Sequence, residues 1–265
     1  KLLDKIFLPP QDDSTVNKVV HSLRKNKSWT FPGKQAGERQ FHEPFTGLLN
    51  AIKDEVQKLC KLEVYKNLKF EMYDANMNEG VDNDEPLKPD IIARQASIST
   101  SNKVASWKEI EFVGEVKAQW PDLVAQAATY ARAILAFQRN RRWVPVIFFK
   151  HTSMEVKIGI FTASWLCMTK KSMSIADTSS AGFGSFVKNI ARIVACNSRW
   201  HGGFDTSCND QVIYIPRCGQ YVFEDQIFSR DSVRGCRTRI YLVRKPDEET
   251  KIDTEQQGMD RRVES

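Results

Sequence analysis

Hydrophobic residues change their spacing several times along the chain, and each change predicts an element. From Phe41 onward, Phe41, Phe45, Leu48, Ile52, Val56 and Leu59 recur at helical spacing, which predicts a helix with one buried stripe. Pro44 suits its first turn and places Glu43 at or just before the N-terminus. The period then falls toward two in NLKFEMYD (67–74), a strand, and the acidic, turn-rich NMNEGVDNDEP (76–86) reads as a loop. PDIIARQ (89–95) predicts a short strand, with Pro89 at a first position that strands tolerate. After the polar loop SISTSNKVAS, residues 107–117 alternate. Ile110, Phe112 and Val116 go to one face, and Glu109, Glu111, Glu115 and Lys117 to the other.

Pro121-Asp122 opens a predicted helix to about Gln138, with Leu123, Ala127, Tyr130, Ile134 and Phe137 as its buried stripe. WVPVIFFK (143–150) is continuously apolar, as a central strand covered on both faces is, and EVKIGIFT (155–162) pairs with it through a tight turn at His151. The order helix, three strands, helix, two strands predicts a mixed α/β layer fold with a parallel crossover through the second helix. Residues 163–200 read as α-rich, with a helix FVKNIARIVA (186–195) after the loop SSAGFGS. Short strands return over 211–245 (QVIYIP, QYVFED, RTRIYLVRK), and the charged stretch from Pro246 predicts a disordered tail. Residues 1–37 form a polar extension with a short helix at 12–26, and its cluster Arg24-Lys25-Asn26-Lys27 reads as a solvated face. The expected organisation is therefore an extension (1–37), a main α/β unit (38–200), a β-rich extension (201–245) and a tail (246–265).

Composition narrows the class. The chain has 265 residues, 41% hydrophobic and 27% charged, enough for one sizeable core and unlike a disordered protein. No apolar run approaches the roughly 18 residues that suggest a membrane span, and KLLDKIFLPP lacks the features of a secretory signal. Because the chain opens on Lys1, a piece of a longer product is expected. Its six cysteines never form a CxxC pair, so free thiols in a reducing, intracellular compartment (cytoplasm or nucleus) are expected. A zinc site from Cys196, His201, Cys208 and Cys218 matches no usual ligand spacing. A net charge of +6 and a pI near 8.9 favour a polyanionic partner.

The chemistry concentrates between Pro89 and Tyr130. Hydrolysis of a phosphodiester needs an activated water and stabilised charge on phosphorus and on the leaving oxygen, which hard cations held by carboxylates supply. Asp90 and Glu115 lie on separate strands of one predicted sheet, and Lys117 shares a face with Glu115, where its ammonium can orient water or neutralise phosphoryl charge. Gln126 and Tyr130 are four apart on the next helix and so are neighbours on one face. Glu43 is the natural third acid, with His42 about 100° away around the helix. Arg132, Arg139, Arg141 and Arg142 cluster at and beyond the end of the second helix and are candidates for gripping a nucleic-acid backbone.

Pro89-Asp90, Glu115-x-Lys117 and Gln126-xxx-Tyr130, in this order, resemble the PD-(D/E)xK nuclease superfamily, particularly its RecB-like branch. The resemblance implies a restriction-endonuclease-like αβββαβ core with a mixed central sheet flanked by helices, plus a C-terminal α+β extension. It also implies Asp90 and Glu115 as ligands of Mg²⁺ or Mn²⁺, Lys117 as the catalytic lysine, Gln126 and Tyr130 as an accessory pair, and Glu43 as a helix-borne acid. The implied activity is metal-dependent hydrolysis of DNA or RNA. A second resemblance covers roughly 85–245, through LKPDIIA, VGEVKAQW, QAATYARAILAFQRNRRWVPVIFF, HGGFDTS and DSVRGCRTRIYLVRK. These are similar to the region that precedes and enters the fungal-type protein kinase domain, with Gly235 in a degenerate glycine loop. No VAIK-like lysine, HRD or DFG follows in this sequence. The competing expectation is a non-catalytic module on the same fold that binds nucleic acid or protein, or an N-terminal part of such a kinase.

Overall fold

The stripe that begins at Phe41 becomes the helix that covers one face of a central sheet. The computed structural model describes residues 13–25, 29–33, 35–60, 67–73, 75–77, 87–97, 104–195, 202–208, 211–229 and 239–246. The chain runs through α1 (Asp13–Lys25), a 3-10 turn (Glu38–Phe41), α2 (His42–Cys60), β1 (Leu68–Met72), β2 (Ile91–Gln95) and β3 (Phe112–Lys117). It continues through α3 (Trp120–Phe137), β4 (Trp143–Lys150), β5 (Glu155–Thr162), β6 (Leu166–Met168), β7 (Met173–Ser174) and α4 (Ala181–Val194). β8 (Val212–Ile215), β9 (Gly219–Ser229) and β10 (Arg239–Arg244) complete the order.

Strands β1 to β6 lie side by side in chain order, and β7 pairs with β5. Every pairing in this sheet is antiparallel except β3 with β4, which α3 joins as a crossover. This is the mixed α/β architecture that the order of elements predicts. A second sheet has the order β10-β9-β8.

β4 explains why its sequence is apolar throughout. Val144, Val146 and Phe148 face α3, where they meet Leu123, Ala127 and Ile134. Ile147 and Phe149 face the layer of α1, α2 and α4. There the Phe45 ring lies 4.4 Å from that of Phe149 and 6.0 Å from that of Phe186. A strand buried on both faces loses the alternation by which half-buried strands are recognised.

Three expectations are corrected. The strand predicted over 107–117 begins only at Phe112, because 107–109 form a turn and Gln138 binds the carbonyls of Trp107 and Ile110. Of the stretch 163–200 read as α-rich, residues 163–180 hold β6 and β7, and the helix comes only after them. Third, α4 starts at Ala181, inside the Gly/Ser stretch read as a loop, with the Ser180 hydroxyl accepting from the Phe183 amide at 3.0 Å. A glycine is required there: a Cβ on Gly182 would stand 2.7 Å from the Ser174 nitrogen, so the helix can cross β7 closely only without a side chain.

The predicted N-terminal helix matches α1; Arg24 and Lys25 are exposed, as a solvated face requires, and Arg24 also donates to the carbonyls of Thr178, Ser179 and Ser180. Most of the acidic loop, Asn26 and Lys27, Gly235, Cys196, His201 and the predicted tail lie outside the described residues. Among the described residues Cys167, Cys208 and Cys218 form no disulfide. Among the described residues no helix is long and apolar enough to cross a membrane.

Candidate functional site

Strand register builds the site. β2 pairs with β3 through Ile91 opposite Gly114, so Asp90, one residue earlier, falls beside Glu115. The Asp90 Oδ2 accepts from the Val116 amide at 2.9 Å, which fixes the carboxylate at the end of β3. Period two then puts Glu115 and Lys117 on one face, and the Lys117 ammonium meets three carboxylates at once. It lies 2.8 Å from Glu115 Oε1, 2.9 Å from Asp90 Oδ2 and 2.8 Å from Glu38 Oε1. Glu38 comes from the 3-10 turn, and His42, at the start of α2, brings its Nε2 to 3.7 Å from Asp90 Oδ1.

Burial sets the electrostatics. Glu115 is 0% exposed, so desolvation, reinforced by the Asp90 charge, pushes its pKa up to about 8 against the opposing pull of Lys117. Burial works against the Lys117 ammonium as well, but Glu115, Glu38 and Asp90 outweigh it and hold Lys117 protonated beyond the ordinary lysine range. Burial lowers the His42 pKa, against the attraction of Asp90 and Glu38, and so favours the neutral imidazole.

A neutral imidazole beside carboxylates could hold a metal ion. One atom each from Glu38, His42 and Asp90 lie within 4.8 Å of one another. His42 Nε2 and both Glu115 oxygens are buried without an aligned hydrogen bond, although Glu115 Oε1 is in ion-pair contact with Lys117. Two carboxylates fit Mg²⁺ or Mn²⁺, with the imidazole as a third ligand. Glu38, His42 and Asp90, with Arg39, Tyr73 and Lys88, line a cleft of about 370 Å³.

The residues singled out in the sequence separate into two groups. Asp90, Glu115 and Lys117 come together. Tyr130 reaches them from α3, only 6% exposed, and donates to the Lys88 carbonyl at 3.0 Å. Burial, then the charges of Glu115 and Asp90, raise its pKa, so it stays a phenol. Gln126 is exposed one turn earlier on α3, and Glu43 is exposed on α2, outside the Glu38, His42 and Asp90 group.

The arginine cluster is not an open basic patch. Arg141 is buried, donating to the Glu111 carboxylate at 2.9 Å and to the carbonyls of Glu111 and Trp143. Arg139 lies over the rings of Phe223 and Tyr241, Arg142 binds Asp205 at 2.8 Å, and Arg132 is half-buried. Arg139, Arg141 and Arg142 precede β4, whose far end, Lys150, pairs with Lys117. At about 3.3 Å per residue, the length of β4 puts them roughly 20 Å from the carboxylates.

The sequence reading missed Glu38 and underrated His42. Their spacing of four at a helix start, an acid and a histidine one turn apart, is the signal that could have found them.

The family described as fungal protein kinase matches residues 88–260. The chain belongs to the fungal protein kinase family. No curated protein and no solved structure matches it. The family match begins two residues before Asp90 and takes in Glu115, Lys117 and Tyr130, but leaves out Glu38 and His42. Over the matched stretch the chain carries neither HRD nor DFG, the motifs with which kinases hold the catalytic base and Mg²⁺.

Proposed function

We propose that this member of the fungal protein kinase family carries a divalent-cation-dependent phosphodiester-hydrolysing site, with DNA or RNA as the substrate class. One observation carries the reading: a single ammonium, Lys117, lies within 2.9 Å of carboxylates from three separate chain segments, beside a cleft. Asp90, Glu38 and His42 would hold Mg²⁺ or Mn²⁺, with Glu115 adjoining. The cation, when bound, supplies Lewis-acid stabilisation of phosphoryl charge and a more acidic water. Lys117 stays protonated, so it acts as a fixed charge that steadies the carboxylates and meets a phosphoryl oxygen, and it does not take a proton from water. Tyr130 positions the segment from Lys88 to Asp90 through its hydrogen bond.

A second reading has an observation of its own. Glu115 has no exposed surface and is easily protonated near neutrality, which suits a retained fold whose acids are neutralised from within by Lys117. On that reading the domain is a non-catalytic nucleic-acid- or protein-binding module attached to a kinase lineage. Incubation of the protein with plasmid, single-stranded DNA and RNA, with and without Mn²⁺, separates the two. The hydrolase reading expects Mn²⁺-dependent cleavage that Asp90→Ala and Lys117→Ala abolish; cleavage that persists in either variant sinks it.

A further inference from the structure

We infer that Arg39 and Lys88 are the phosphate-binding residues of the cleft, the part that sequence spacing assigns to the arginines at 132–142. This inference deepens the proposed function and rests on it for the identity of the substrate.

The argument begins with charge. Glu38 and Asp90 line the cleft and repel any phosphate that approaches, and Lys117 offsets only one of the two. A further cation is therefore needed before an anion meets a neutral site. The cleft wall has two. Arg39 and Lys88 line it together with Glu38, His42, Tyr73 and Asp90, and both are exposed. Arg39 follows Glu38 in the 3-10 turn and is close enough to His42 to depress its basicity, while Lys88 stands two residues before Asp90.

Each cation is thus carried by a segment that also supplies an acid, so gripping a phosphate fixes its distance from the carboxylates. Lys88 is held from behind: its carbonyl accepts from the buried Tyr130, and the Asp90 carbonyl accepts from the Tyr73 amide at 2.9 Å. Tyr73 itself is buried and accepts from the Ala105 amide at 3.0 Å, so it shapes the wall rather than stacking on a base. Arg139, Arg141 and Arg142, by contrast, lie at the other end of β4, on Phe223, Glu111 and Asp205.

The test is equilibrium binding of a short, fluorescently labelled single-stranded oligonucleotide to the full chain, followed by anisotropy over a salt series without divalent cations. Arg39→Ala and Lys88→Ala are each expected to weaken binding several-fold and to make the salt slope shallower by about 0.7, the share of one phosphate contact. Arg142→Ala should bind as the wild type does. Circular dichroism confirms that each variant is folded. Wild-type binding that neither alanine changes, equal weakening by Arg142→Ala, or no binding by the wild type would each overturn the inference.

The outcome is separable from that of the hydrolase reading. A protein that binds through Arg39 and Lys88 but cleaves nothing with Mn²⁺ refutes hydrolysis and keeps this assignment. A protein that cleaves while both alanine variants retain full affinity does the reverse.

Discussion

Tyr130 donates its phenolic hydrogen to the carbonyl of Lys88 at 3.0 Å, which ties the crossover helix to the segment that delivers Asp90. The two residues are 42 positions apart, and the bond is partly buried. Its role is to hold a chain segment in place.

Tyr130→Phe keeps the ring against Trp107, whose centroid is 6.1 Å away, and removes only the donor. The carbonyl left without its partner should cost about 1 kcal/mol, seen as a lower urea midpoint at an unchanged slope. The loss of cleavage should exceed what this small destabilisation explains. Unchanged cleavage would show that the bond does not position Asp90.

Glu115 gives stability a pH dependence of definite sign. Its pKa rises from 4.5 to about 8 on folding, so between those values the folded protein holds a proton that the unfolded chain releases. The contribution is complete below the unfolded pKa and is lost as pH rises toward about 8. In Glu115→Gln this term is absent, while the other titrating groups remain. The melting temperature of the variant relative to wild type should therefore climb between pH 5 and about pH 8 and then level off. Parallel melting curves would contradict the burial of this carboxyl.

Arg141 is a structural residue. Arg141→Ala removes the cation that pairs with the buried Glu111 carboxylate, together with its hydrogen bonds to the carbonyls of Glu111 and Trp143 and to the Gln138 side chain. Breaking such a buried pair costs about 3–5 kcal/mol, measurable by chemical denaturation. Oligonucleotide affinity measured on the fraction that remains folded should be unaltered.

Gly182→Ala tests the crossing of α4 over β7. The new methyl would meet the Ser174 nitrogen at 2.7 Å and its carbonyl oxygen at 2.9 Å, both backbone atoms that cannot swing aside. Overpacking of this kind costs about 1–3 kcal/mol, despite alanine's better helix propensity. A more stable variant would refute the close approach.

Much of this arrangement was legible in the sequence because it depends on period. The α2 stripe from Phe41 to Val56 is buried as its spacing requires, and period two places Glu115 and Lys117 together. What was illegible depends on neighbours distant in sequence. Glu38 joins the site only because the 3-10 turn packs against β3, 79 residues further on. Trp107 to Ile110 mimic a strand by alternation, yet a turn and the side-chain amide of Gln138 take their backbone groups. The Gly/Ser composition around Gly182 suggests a loop until β7 is beneath it. The arginines at 139–142 look like a basic patch until Glu111, Asp205 and Phe223 are seen to occupy them.

Uptake of a divalent cation by Asp90 and its neighbours is read out by a calorimetric titration with Mn²⁺. The wild type should bind Mn²⁺, Asp90→Asn should lose that binding, and Arg142→Ala should keep it. A wild type that takes up no Mn²⁺, or an Asp90→Asn variant that binds it unchanged, would contradict the account.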